Sequence, residues 1–164
     1  MKARTKKVTF LGLFATVALI LSYVEAMLPP IYAAIPGIKV GLPNIAILFV
    51  LYRFGIREAA AVSFVRILLS ALLFGNVTML WYSLAGAVLS LGCMALAKRL
   101  AWFSTVGVSI LGGVMHNLGQ VLVAMLLLET AEIGYYMLPL AVSGTLAGIF
   151  IGLGGATLLA KIRL

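Results

Sequence analysis

The sequence predicts an all-α integral membrane protein of six transmembrane helices, with the N and C termini cytoplasmic. Hydrophobic residues make up 64% of the 164-residue chain and charged residues only 10%, against about half and about a quarter in a soluble domain. With a mean hydropathy of +1.21, that excess is too large for one core, so lipid must solvate most of the surface. The apolar residues also fall in separate runs, and the cations occupy the breaks between them. With the N-terminus inside, the cytoplasmic segments hold ten Lys and Arg, the external loops hold Lys39 alone, and Arg66 stays within a span. That is a strong positive-inside asymmetry.

The whole chain, 1–164, reads as a single membrane domain with helices near 8–28, 40–54, 58–75, 79–97, 105–128 and 138–160. The first follows a basic leader, Met1 to Lys7. Its apolar part is longer than a signal-peptide core and lacks a small-x-small cleavage site, so it is expected to be retained. Pro29 and Pro30 stop it. The second has an apolar core of only Asn44 to Tyr52, well under the ~20 residues of a spanning helix. Either flanking residues extend it, or it is a broken or re-entrant element, which is tolerated only inside protein or along a cavity. The third carries Arg66. A Gly75-Asn76-Val77-Thr78 turn precedes the fourth, and Trp81 and the tyrosines near the outer boundary fit an aromatic belt. The fifth carries His116, and the sixth a ladder of glycines.

Several function classes are excluded. The single cysteine, Cys93, lies in an apolar run, which removes a disulfide framework and any Cys/His metal spacing. The net charge of +8 is split into short clusters, which argues against nucleic acid as a partner. No G-x-x-x-x-G-K-[ST] is present, and Gly152-Leu153-Gly154-Gly155 fits no phosphate-binding loop. The chain has no aspartate at all, and its acids are Glu25, Glu58, Glu129 and Glu132. An aspartate-rich magnesium–diphosphate site therefore cannot form. No enzyme activity, cofactor or metal is expected.

Polar residues inside the spans are the candidate binding site. Arg66 has about eight apolar residues on either side, which places it roughly 12 Å from each helix end. A guanidinium near the bilayer midplane costs at least ~2.5–3.5 kcal/mol unless it is paired or hydrated. Glu25, near the outer end of the first helix, is one partner; an anionic or carbonyl-rich ligand is the other, and the residues leave both open. Gly112, His116, Gln120 and Ala124 fall on one slowly drifting face, with Asn117 beside it. Those side chains hold either neighbouring helices or a solute. Asn44, Asn76 and Tyr82, near the outer helix ends, complete the candidate substrate-binding set with Arg66, His116, Asn117, Gln120 and Glu25. Gly144, Gly148 and Gly152 continue into Ala156 and Ala160 as a small residue every fourth position, a ridge for close helix approach. It serves packing within the subunit or docking of a second membrane protein. Gly12, Ala15 and Thr16 give the first helix a weaker surface of the same kind.

Longer strings add a resemblance. Lys6-Lys7-Val8-Thr9-Phe10-Leu11-Gly12-Leu13, Pro29-Pro30 and Gly41-Leu42-Pro43-Asn44, together with Val65-Arg66 to Ser70, Phe74-Gly75-Asn76 and Met115-His116-Asn117-Leu118-Gly119-Gln120, resemble the Gx transporter family. Its members are also labelled heptaprenyl diphosphate synthase component I, and they are similar to the S components of energy-coupling factor transporters. The resemblance runs nearly end to end. It implies an S-component-like bundle in a bacterial plasma membrane, with a vitamin-like small solute bound from the outer face. It also implies a membrane-embedded coupling subunit with ATPases as partners. The Ala-x-x-x-Ala pattern of that class is replaced here by Ala15-x-x-Ala18. The alternative function is a non-catalytic membrane subunit of isoprenoid or quinone metabolism; a purely structural anchor is a third.

Overall fold

The computed structural model describes residues 2–27 and 41–162. Within them the chain forms α1 (Lys2–Met27), α2 (Asn44–Arg53), α3 (Ile56–Leu73), α4 (Val77–Leu100), α5 (Thr105–Leu127) and α6 (Met137–Lys161). A 3-10 turn, Ala131–Tyr136, leads into α6. The all-helical class is as expected, and the described residues contain no strand. In lipid a helix is the natural choice, because it satisfies every interior N–H and C=O within its own segment.

Four helices, α1, α4, α5 and α6 with its leading turn, are long and apolar enough to cross a bilayer. α3 has 18 residues, about 27 Å of rise, but carries Arg57, Glu58 and Arg66. α2 has only 10 residues, about 15 Å, roughly half of a hydrocarbon core. Its start corrects the expected 40–54 segment. Gly41 takes φ 78° and Pro43 has no N–H to donate, so regular helix begins at Asn44. The Pro29-Pro30 stop, Lys39, Val40 and Arg163 lie outside the described residues.

Contacts fix the relative directions of the helices. Lys7 pairs with Glu58 at one end of α1 and α3, and Tyr23 meets Phe74 edge-on at the other. Those two helices are parallel. α2 runs against α1, with Phe14 stacked on Phe49 at 4.6 Å, and alongside α6 in the same sense. α4 opposes α5, and α5 opposes α6. Arg4, Lys6, Lys7, Arg53, Arg57, Lys98, Arg99 and Lys161 therefore gather at one end of the bundle, here the basic end. Glu25, Glu129 and Glu132 sit towards the other.

Two of those cations have a local task. Lys98 donates to the Leu51 carbonyl at 2.8 Å and lies over the Tyr52 ring. Arg53 donates to the carbonyls of Leu159 and Ile162 at 2.8 and 2.6 Å. These are last-turn carbonyls that a helix leaves without partners, at its negative dipole end. The two caps tie α2 to α4 and α6. Ala46 to Leu51 are all buried, Phe49 and Val50 completely. The short helix is thus an internal strut, which removes the need for it to match a membrane.

The outside has the opposite character to a soluble protein. Leu13, Leu72, Val88, Leu126, Leu138 and Phe150 are each more than half exposed. An apolar exterior of this extent belongs against lipid, and the architecture is that of a membrane protein.

The α6 ridge packs inward. A Cβ at Gly148 would stand 2.5 Å from the Ile110 Cα, one at Gly152 2.7 Å from the Val106 Cα, and one at Gly144 2.9 Å from Gly113 and Asn117. α5 therefore occupies the ridge, which corrects Gly144, Gly148 and Gly152 as docking residues: their surface is taken. Gly12 and Thr16 are exposed, with open space beyond Gly12, whereas Ala15 packs against the core.

Candidate functional site

A hollow opens at the end opposite the basic end, between α1, α2, α3, α4 and α5. It has about 60 Å³ of room for water-sized bodies and is open on one side. That space holds a handful of waters or one small polar group. α1 supplies Ser22 and Glu25, the start of α2 supplies Asn44, α3 supplies Arg66 and Ser70, α4 supplies Ser83, and α5 supplies His116 and Gln120.

Arg66 is the decisive member. It is 8% exposed, and its Nε is fully buried without a hydrogen-bond partner. The other polar groups around the hollow are better placed. Glu25 accepts from the backbone N–H of Gly41. Ser22 donates to the Ala18 carbonyl at 2.9 Å, and Ser70 donates to the carbonyl of Arg66. Gln120 Nε2 lies 3.3 Å from His116 Nε2. Among the described residues the ion pair is Lys7–Glu58; Arg66 and Glu25 share the hollow without closing into one. The Glu25 charge still acts on the guanidinium.

Five of the eight expected binding residues meet here: Arg66, Glu25, Asn44, His116 and Gln120. Three do not. Asn117 turns to α6 and donates to the Leu140 carbonyl at 2.7 Å while itself buried, so it is a strut between helices. Asn76 is the N-cap of α4 and accepts from the Met79 N–H at 2.8 Å. Tyr82 stands one residue off the wall, and its neighbour Ser83 takes the place on it.

Two glycines have roles that the sequence reading missed. Gly41 lends its N–H to Glu25. Gly86 lets the His116 ring lie flat on α4, since a Cβ there would meet ring atoms at 2.7 to 3.0 Å. The signal for Gly86 was its small size at mid-span, which is only informative once its partner helix is known. Gly112 likewise faces Met94 and Ser90 of α4, so the expected Gly112–His116–Gln120 face is the one that α5 turns towards α4.

The family described as heptaprenyl diphosphate synthase component I matches residues 14–158, nearly the whole chain. The chain belongs to that family. In this component I family member the matched region runs from the first core residue of α1 to the last turn of α6 and takes in every wall residue of the hollow. No curated protein and no solved structure matches the chain.

Proposed function

We propose that the protein is the membrane-embedded substrate-binding component of an energy-coupling factor-like transporter, taking a small vitamin-like solute from the outer face. In this reading all six helices lie within the membrane, α2 as a short one enclosed by the others, and the basic end with both termini is cytoplasmic. The hollow then opens outward, as capture of an external solute requires. The observation that carries the reading is Arg66: a side chain midway along α3, nine-tenths buried, beside a polar hollow and with a buried Nε that has no hydrogen-bond partner. Intramembrane charges of this kind mark substrate paths. With no nucleotide-binding motif of its own, the chain needs a membrane-embedded coupling subunit with ATPases to drive uptake.

The test is native mass spectrometry of gently purified protein beside its Arg66→Leu variant. The expected result is a water-soluble small molecule bound to the wild type and lost from an equally well-inserted variant. A prenyl lipid in its place would support the alternative, a non-catalytic subunit of isoprenoid metabolism. An empty hollow in both proteins, with uptake unaffected, would refute the transporter reading.

A further inference from the structure

We infer that the group entering the hollow is an oxyanion, a carboxylate or a phosphate, and that the solute binds head-down with this group on Arg66. The inference rests on the solute-binding reading above and names the chemical class of the solute. Three observations support it.

The first is hydrogen-bonding capacity. Guanidinium offers five N–H donors in a planar fork and no acceptor, and in this protein the buried Nε has no partner at all. A neutral carbonyl satisfies at most part of that fork, whereas a carboxylate or phosphate takes two parallel bonds from it. The second is depth and size. Along α3 Arg66 lies about one turn deeper than Ser70, along α5 His116 about one turn deeper than Gln120, and along α1 Ser22 three residues deeper than Glu25, all of them lining the hollow. The hollow has about 60 Å³ of room for water-sized bodies and is open on one side, so it takes a small polar group and the bulk of a larger ligand must project towards the rim. The third is the sign of the charge. The carboxylate on the wall, Glu25, stands at the rim and accepts from the Gly41 N–H. The floor carries the cation and the rim carries the anion, an order that draws a negative group past Glu25 only if it reaches Arg66. It disfavours a cation at the floor.

Free carboxylates, free phosphates and the phosphate of a lipid headgroup share this chemistry. The experiment uses the full chain in detergent and in lipid nanodiscs, with thermal melting and calorimetry as readouts. The probes are acetate, inorganic phosphate, the neutral isostere acetamide, and dioleoyl phosphatidic acid doped into phosphatidylcholine nanodiscs. Acetate or phosphate is expected to raise the melting temperature, and acetamide to leave it unchanged. Arg66→Gln is expected to lose about ten- to hundredfold in anion affinity, the equivalent of one charge-assisted bond or more. Arg66→Lys, which keeps the charge without the fork, should lie in between. Arg99→Gln, exposed at the basic end, should behave as wild type. A response to phosphatidic acid that Arg66→Gln abolishes, without any response to the soluble anions, assigns the oxyanion to a lipid headgroup. Anion responses that survive Arg66→Gln, or acetamide binding as strongly as acetate, overturn the inference. If a neutral solute co-purifies in the hollow, the solute-binding reading stands and this inference alone fails.

Discussion

Two regions of the bundle place polar atoms in apolar helix, and they treat them in opposite ways. Along the α5–α6 seam, Asn117 donates to the Leu140 carbonyl, Thr145 donates to the Ala141 carbonyl at 2.8 Å, and Gly113 and Gly144 bring two backbones together. In the hollow, Arg66 is almost as buried as Asn117, yet its Nε has no partner. A polar residue within a span is therefore not in itself a sign of function. What distinguishes a site from a strut is whether the protein completes the hydrogen bonds itself.

The seam is the easier half to break. Gly148→Leu would drive a side chain into the α5 backbone at Ile110, and neither helix can yield without separating. We expect a loss of about 3 kcal/mol or outright failure to fold, visible as aggregation on size-exclusion chromatography in mild detergent. A well-folded variant would mean that the ridge is not packed as described. Asn117→Ala should be milder, about 1 kcal/mol, in line with interhelical hydrogen bonds in membranes. Its melting temperature should fall while solute binding stays as in wild type. Loss of binding without loss of stability would move Asn117 from the seam to the site.

The smallest effect sharpens the other half. In Gly86→Ala the new methyl pushes the His116 ring off α4 towards the hollow. The ring is a side chain on two rotatable bonds, so stability should hardly change. Affinity for the bound solute should drop by about three- to tenfold, measured by calorimetry. If affinity is unchanged, the imidazole does not touch the solute.

The same contrast explains what could be read from the chain beforehand. Helices were legible from apolar length, and the third to sixth lie within three residues of their expected bounds, whereas α1 begins six residues earlier, in the basic leader. The apolar core of α2 was legible from Asn44 onward, but its expected extension back to residue 40 was not borne out, since Gly41 and Pro43 end the helix there. Helix faces were the harder matter. A soluble helix reveals its inner face by the polar one opposite, but a helix in lipid is apolar on both sides. One step of about 100° takes His116 on the hollow to Asn117 on α6, and nothing in the neighbouring residues marks the difference. The Gly144–Gly148–Gly152 spacing was visible in the same way, yet spacing cannot say which helix fills it. Arg66, Glu25, Asn44, His116 and Gln120 were identifiable by residue type, because charge and amide groups are rare enough in these spans to stand out.

The most direct test of the contrast is the melting temperature of Arg66→Met, purified free of solute, against wild type. Methionine keeps much of the aliphatic stem and removes only the charge, so lost packing is small. If Arg66 is held for a ligand, the solute-free variant should melt at or above the wild-type temperature, because a buried charge lacking full partners has been removed. A drop of several degrees would show that the guanidinium holds the bundle together, and would contradict its assignment to a binding site.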